Sequence, residues 1–136
     1  MSEYIIEMLH ITKEFPGIIA NDDITLQLRK GEIHALLGEN GAGKSTLMNV
    51  LFGMPVIHET GGFGGEIYLD GEKTTIASPH DAMTKGIGMV HQHFMLVEAM
   101  TVFDNIILGD KHAKGLFIDR AARRKEIEAL SEKYGL

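Results

Sequence analysis

Residues 38–46 constrain this chain more than any other stretch, because they read Gly-Glu-Asn-Gly-Ala-Gly-Lys-Ser-Thr. A largely apolar segment of strand length, residues 32–37, precedes them, and residues 47–52 follow with apolar side chains at helical spacing. This order of buried strand, glycine-rich loop and helix is the context of a phosphate-binding P-loop. A chance match by an ordinary glycine-rich turn is disfavoured by the length of the pattern. The sequence therefore predicts nucleotide binding.

Each part of this loop has a physical role in holding phosphate. Gly38, Gly41 and Gly43 allow the backbone to curl so that successive N–H groups point at phosphate oxygens. The helix that follows adds the positive end of its dipole. We expect Lys44 to reach the β- and γ-phosphates and the Ser45 hydroxyl to ligate Mg²⁺.

The composition narrows the class of protein. The chain has 136 residues, of which 44 % are hydrophobic and 24 % charged, as in one globular domain with a core. Its net charge of −6 argues against a broad nucleic-acid surface. It has no cysteine for disulfides or thiolate metal sites, which suits a reducing cytoplasm. No apolar run approaches about 18 residues, and the first residues do not read as a signal peptide. Any link to a membrane is therefore expected through a partner.

The other segments predict a small α/β domain with several antiparallel strands. Alternating apolar and polar side chains mark half-buried strands, and short apolar runs mark buried ones. The Asp-Gly pair at residues 70–71 predicts a hairpin turn. Residues 21–23 are predicted to form a loop, and the glycine-rich residues 55–65 a flexible surface loop. The predicted strands are residues 4–15, 24–28, 32–37, 66–69, 72–76 and 87–90.

Three further helices are predicted from side chains that can cap their first turns. Ser78 precedes a proline at the first helical position, Thr101 and Asp104 form a capping box, and Asp119 precedes a helix that runs to about residue 134. A polar loop is expected at residues 110–115. The basic cluster at residues 120–125 is an anion site or, as we favour, a solvated helix face, because acidic residues follow directly.

Taken in order, these motifs resemble the ATP-binding subunit of ABC transporters. Residues 38–46 look like the Walker A motif of that family and Val-His-Gln at residues 90–92 like its Q-loop; Thr-Val-Phe-Asp-Asn-Ile follows at residues 101–106. The resemblance covers the chain from residue 4 onward. It implies a P-loop NTPase core with an antiparallel β-subdomain. Residues 1–136 would be the N-terminal part of one nucleotide-binding domain, truncated before the signature and Walker B regions.

The resemblance also assigns roles to individual residues. Phe15 looks like the A-loop aromatic that stacks on adenine; the alternative is a core phenylalanine at a strand end. Gln92 looks like the glutamine that reaches Mg²⁺ or the attacking water, the alternative being a solvated loop residue. Lys44 and Gln92 would be catalytic, and Ser45 and Gln92 would hold the metal. The implied nucleotide contacts are Phe15, Gly38, Asn40, Gly41, Ala42, Gly43, Lys44, Ser45, Thr46 and Gln92.

Within the family, residues 88–96, 101–102 and 105–106 look most like the bacterial importers of nucleosides and simple sugars. That likeness implies ATP and Mg²⁺ as cofactors, a second ATPase domain in tandem or as a dimer, and a place at the cytoplasmic face of the plasma membrane. Transmembrane permease subunits would contact the chain near the Q-loop, where Met95, Leu96, Val97 and Met100 form an apolar stretch; the alternative is that these side chains fill gaps in the core. His91 and His93 lack a third ligand nearby, so no metal site is expected there.

The sequence shows no signature loop, switch histidine or Walker B carboxylate. Asp70 follows an apolar run but belongs to the Asp-Gly turn, and Asp119, after the short run 116–118, is better used as a helix cap. We therefore expect this chain alone to bind ATP without hydrolysing it. Without the central strands of the family's sheet, we expect Ile33, Leu37 and Val90 to be uncovered.

Two other classes of protein stay open at this stage. One is a nucleotide-binding module without turnover, regulatory or truncated. The other is another P-loop NTPase, such as a small kinase or a GTPase. The sequence has no evident arginine-rich lid, which argues against the kinase, and no Asn-Lys-x-Asp motif, which argues against the GTPase.

Overall fold

The computed structural model describes residues 2–93, 95–109 and 118–136, which form two compact units. The first unit extends to Val90, and the second runs from His91 to Leu136. The polar loop predicted at residues 110–115 lies outside the described residues, as do residue 94 of the Q-loop resemblance and residues 116–117 of the rejected acidic run. The described part contains no helix long and apolar enough to cross a membrane.

An antiparallel sheet in the order β2-β1-β3-β4 organises the first unit. The central strand β1 pairs with β2 on one side and β3 on the other, so that Met8 lies opposite both Leu26 and Ile67. These three side chains are buried and begin the hydrophobic core. The strands are β1 (Tyr4–Phe15), β2 (Ile18–Arg29), β3 (Gly64–Leu69) and β4 (Glu72–Thr74).

The strand β2 is longer than predicted, because the residues read as a loop at 21–23 belong to it. Asp23 has a φ of 51° and His10 on β1 a φ of 55°, and the pairing of the two strands shifts register in this region. The Nδ1 atom of His10 lies 2.6 Å from Oδ1 of Asp23. These irregularities break the alternation of apolar and polar side chains, which is why the sequence predicted a loop at residues 21–23 followed by a shorter strand at residues 24–28.

The predicted hairpin between β3 and β4 is confirmed. Asp70 and Gly71 have φ values of 49° and 82°, and a type I′ turn needs positive φ at both central residues. Leu69 pairs with Glu72 directly across the turn. The second strand ends at Thr74, two residues earlier than predicted.

Three helices complete the first unit: α1 (Lys44–Phe52), α2 (Pro55–Glu59) and α3 (Pro79–Thr84). The cap of α3 is confirmed, because Ser78 Oγ accepts the N–H of Asp81 at 3.1 Å. The helix α2 corrects the prediction of a loop throughout residues 55–65; Pro55 occupies its first turn, where a proline loses no helical hydrogen bond. The buried core consists of Met8, Ile11, Leu26, Leu47, Val50, Leu51, Phe52, Ile57, Ile67, Ile76 and Ala82.

Two predicted strands, residues 32–37 and 87–90, are not strands in the structure. A strand needs a neighbour for its N–H and C=O groups, and none of the four described strands pairs with either segment. Ile33, Leu37 and Val90 are 101 %, 88 % and 95 % exposed. The expectation that these three side chains are uncovered is thus confirmed.

The second unit contains α4 (Val102–Ile107) and α5 (Arg120–Tyr134). Both predicted caps are confirmed: Thr101 Oγ1 accepts the N–H of Asp104, and Asp119 Oδ1 accepts the N–H groups of the first turn of α5. Arg120 donates to Asp104 Oδ1 at 2.7 Å, and α5 has no buried residue. The basic start of α5 is therefore an exposed, ion-paired helix face.

The close approach of β3 to β1 at Gly65 leads to a prediction about stability. Its φ is 99°, and a Cβ there would lie 2.5 Å from the carbonyl oxygens of Leu9 and His10. Gly65→Ala should therefore lower the free energy of unfolding by about 1–3 kcal/mol, measured by chemical denaturation. Gly64→Ala is the matched control, since its Cβ would meet nothing closer than Thr12 at 3.8 Å. Equal stability of the two variants would contradict this account.

Candidate nucleotide site

The glycine-rich loop curls tightly before α1. Gly41 and Gly43 have φ values of 86° and 87°, a conformation that side chains other than glycine rarely adopt. Gly43 is the N-cap of α1, and the N–H of Ala42 donates to the carbonyl of Glu39 at 3.1 Å. The glycine turn and the helix of the predicted P-loop are therefore present, whereas the strand predicted before them at residues 32–37 is not.

The lysine of the motif folds back over the loop. Lys44 Nζ donates to the carbonyl oxygens of Gly38 at 2.5 Å and Glu39 at 2.7 Å. An ammonium held in this way brings a positive charge to the N-terminus of α1, whose first turn carries no acidic residue. The Lys44 ammonium and the N-terminus of α1 are the groups of this loop that can attract phosphate.

The remaining loop residues are accessible to a ligand. Residues 38–42 and Ser45 are exposed, and Gly43, Lys44 and Thr46 are half-buried. Ser45 lies in the first turn of α1, where its hydroxyl can serve as a hard oxygen ligand. The donor set of backbone N–H groups, one ammonium and one hydroxyl fits a magnesium nucleotide.

The structure adds Asn21 to this site, a residue that the sequence did not single out. Asn21 is only 5 % exposed, and its Nδ2 donates to the carbonyl of Gly43 at 3.1 Å. A Cβ at Gly43 would lie 2.1 Å from the carbonyl oxygen of Ala20. The glycine is thus required both by its φ and by its contact with β2. The sequence could have indicated Asn21 as a polar residue on the buried face of β2, but residues 21–23 were predicted to be a loop.

Phe15 lies at the end of β1, half-buried against the core. It lines a cavity of about 630 Å³, together with the glycine-rich residues 60–64, which include Phe63. Both interpretations of Phe15 therefore describe part of its environment, since it packs on the core and also faces open space. Its stacking on adenine stays a prediction.

Gln92 is exposed and belongs to the second unit, whereas the P-loop belongs to the first. Its role as a ligand of metal or water stays a prediction. Among the described residues there is no cluster of three or more His, Asp or Glu side chains that could hold a metal ion.

The apolar segment after the Q-loop lies at the surface. Met95 is 78 % exposed, so it does not fill the core of its unit. Leu96, Val97 and Met100 line a cavity of about 420 Å³ together with residues of α4. Asn105 holds this segment in place: its Oδ1 accepts the N–H of Val97 at 2.8 Å, and its Nδ2 donates back to the carbonyl of the same residue at 3.1 Å.

The two rejected carboxylates have other partners. Asp70 pairs with Lys30 at 2.7 Å, and the hydrogen bond from that ammonium lowers the pKa of the Asp70 carboxyl. Asp119 caps α5. That neither carboxylate is catalytic stays a prediction.

Comparison with known proteins identifies the family and the fold. The family model described as ABC transporter matches residues 21–136. The chain is 60 % identical over 134 residues to the guanosine import ATP-binding protein NupO of Bacillus subtilis, covering 98 % of this chain and 25 % of that protein. It is 53 % identical to the nucleoside import ATP-binding protein NupA of Lactococcus lactis, covering 99 % of this chain and 26 % of the relative. The chain thus spans about a quarter of the length of the curated relatives it matches.

Solved structures agree with the predicted fold class. A nucleotide-free ATP-binding cassette from an ABC transporter superposes with a TM-score of 0.66 at 29 % identity, covering 79 % of this chain and 40 % of that one. The protein cbiO1 of Clostridium perfringens, part of the transporter complex cbiONQ, has the same TM-score of 0.66 at 24 % identity, covering 99 % of this chain and 52 % of that one. The α/β fold with an antiparallel β-subdomain is confirmed.

The contact between Asn21 and Gly43 leads to a second prediction. Asn21→Asp replaces the amide donor with an oxygen that cannot donate to the Gly43 carbonyl, so it should lower the free energy of unfolding by about 1–3 kcal/mol in a urea titration. Asp22→Asn, at the exposed neighbouring position, should change it by less than about 0.5 kcal/mol. Similar midpoints for wild type and Asn21→Asp would contradict the proposed contact.

The cap of α4 leads to a third prediction, on pH. Hydrogen bonds from Thr101 and then from Arg120 lower the pKa of Asp104. A depressed pKa in the folded state means that Asp104 contributes stability at neutral pH, and that this is lost as pH falls through the folded value. Thr101→Val should raise the pKa of Asp104, measured by NMR titration of its carboxyl carbon. Identical titration curves in both proteins would refute the role of Thr101.

Proposed function

The chain belongs to the ABC transporter family, and on that premise we propose that it is part of the ATP-binding component of a bacterial importer. The observation that carries this proposal is the P-loop itself, curled before α1 with Lys44 against its carbonyl oxygens. The names of the relatives support the direction of transport, since they are import ATP-binding proteins.

In the proposed site, Mg-ATP binds along the P-loop. The N–H groups of residues 38–46, apart from that of Ala42, and the Lys44 ammonium hold the phosphates, and Ser45 holds the metal. Phe15 supports the adenine ring, and Gln92 approaches the metal or the attacking water. The metal would neutralise phosphate charge; the chain itself contributes positioning and a positive field.

The transported solute is proposed to be a nucleoside, with a simple sugar as the alternative. The two relatives named for guanosine and nucleoside import are 60 % and 53 % identical to this chain. A xylose import protein of Geobacillus kaustophilus is 43 % identical. In the resembled importers the solute is selected by the membrane and binding-protein subunits, so these identities are an indirect indication.

The partners follow from the same proposal. Two ATPase domains, in tandem or as a dimer, would enclose ATP between them, and closure would act on permease subunits at the cytoplasmic face of the membrane. The exposed apolar segment around Met95 and Leu96 is the proposed contact with the permease.

A second candidate, favoured by a specific observation, is nucleotide binding without turnover by these 136 residues alone. The two acids that follow apolar runs, Asp70 and Asp119, are engaged in an ion pair and a helix cap. Because both carboxylates already have these partners, neither is ready to polarise an attacking water.

A fourth prediction tests the proposal and separates the two candidates. Titration calorimetry with Mg-ATP should show binding, and Lys44→Ala should weaken it by at least about tenfold, because the phosphate ligand is removed. Lys73→Ala, which removes an exposed lysine of β4, is the matched control and should bind as wild type does.

Phosphate release and base preference complete that experiment. Binding of Mg-ATP in preference to Mg-GTP with no phosphate released would fit an importer ATPase domain that needs further residues for turnover. Sustained release by the chain alone would mean that an acid rejected above is catalytic. Preference for GTP, or binding unaffected by Lys44→Ala, would overturn the proposed function.

A further inference from the structure

The most unusual polar residue in the first unit is Lys13 on β1, whose side chain is completely buried. Its Nζ donates to three backbone carbonyl oxygens, those of Ile57 at 3.2 Å, Thr60 at 2.9 Å and Gly62 at 2.7 Å. An ammonium has three N–H donors, so every donor is used. Burying a charge is costly unless it is fully hydrogen-bonded, and this one is.

The three carbonyls belong to one segment, the end of α2 and the glycine-rich residues that follow it. The last carbonyls of a helix have no partner within the helix, and Lys13 supplies one. The N–H of Gly62 also returns to the carbonyl of Ile57 at 2.8 Å. Lys13 therefore adds three hydrogen bonds from β1 to the segment that was predicted to be a flexible loop.

The same ammonium also contacts the aromatic ring of Phe15. Its Nζ lies 4.7 Å from the ring centroid, within the range of a cation–π contact. Lys13 thus joins two parts of the molecule that are distant in sequence, the end of β1 and residues 57–62.

Both parts contribute to the lining of one cavity. Phe15 and residues 60–64, which include Phe63, are among the residues that line this space of about 630 Å³, whereas Lys13 is not. A volume of that size lies within the usual range for small-molecule sites. Two aromatic rings and exposed glycine backbone suit a flat heterocycle, which stacks on rings and hydrogen-bonds at its edge.

We propose that Lys13 is a positioning residue for the nucleotide base, which binds in this cavity lined by Phe15 and Phe63. The inference rests on the proposed function, because it assumes that Phe15 faces the base of a nucleotide held at the P-loop. Lys13 acts through its neighbours: the cation fixes the Phe15 ring, and the three hydrogen bonds fix the glycine-rich wall.

The test compares a ligand that has a base with one that lacks it. Wild type should bind Mg-ATP about tenfold or more tightly than magnesium tripolyphosphate, because stacking adds to the affinity for phosphate. Lys13→Met should reduce that ratio by about tenfold while tripolyphosphate binding changes by less than about twofold. Lys13→Arg, which keeps the charge and the donors, should retain part of the ratio. Lys73→Met is the control at an exposed lysine and should keep all of it.

A second pair of variants leaves Lys13 in place, in case its replacement prevents folding. Gly62 has a φ of 74°, and a Cβ there would have nothing within 4 Å, so a side chain at this position meets strain and not collision. Asn tolerates such a φ, whereas the β-branched Val does not and should displace the carbonyl that Lys13 holds. Gly62→Val should therefore reduce the ratio of the two affinities several-fold more than Gly62→Asn.

The outcomes distinguish this inference from the proposed function. A wild type that binds neither ligand would overturn both. A wild type that prefers ATP, with a folded Lys13→Met variant that keeps the preference, would overturn the inference alone. Equal losses for ATP and tripolyphosphate in that variant would also overturn it, because they would place the effect on the P-loop or the whole fold. Equal ratios in Gly62→Val and Gly62→Asn would overturn the role of the carbonyl contact.

Discussion

The first unit depends on a pair of buried polar residues that face each other across the hairpin of β1 and β2. Lys13 pairs in register with Asn21, and both side chains leave the hairpin to hold backbone carbonyls elsewhere. Asn21 holds the loop before α1, and Lys13 holds the end of α2 and the glycine-rich wall. Such contacts are directional, unlike apolar packing, so they fix the position of loops that carry few apolar side chains.

Because of these two polar residues, β1 and β2 position loops as well as contribute to the core. Apolar residues of β1 and β3 pack with α1 and make the unit stable, whereas the polar pair positions the segments that we propose to contact a nucleotide. The segments proposed to hold the phosphates and the base are thus both hydrogen-bonded to side chains of the same hairpin. A rigid scaffold under accessible loops is the usual basis of a precise binding site.

The sequence predicted the parts of the structure that local chemistry determines. The P-loop glycines, the Asp-Gly turn and the caps Ser78 and Thr101 appear where the pattern placed them. It failed where a distant partner decides the outcome. Residues 32–37 have the composition of a strand but no described strand beside them, and Lys13 reads as an ordinary polar position in an alternating strand although it is buried. Hydrogen bonds between residues more than forty positions apart leave no local pattern to read.

The close packing of Gly43 against β2 determines what a variant at that position could reveal. Its carbonyl accepts from Asn21, its α-carbon approaches the backbone of Ala20, and its peptide opens the first turn of α1. A substitution there disturbs the sheet, the helix and the anion site together, so a loss of nucleotide binding would carry no information about which of them failed. A substitution of Lys44 is more informative. Its described hydrogen bonds go only to loop carbonyls, so its loss affects phosphate binding more than the packing of the sheet and the helix.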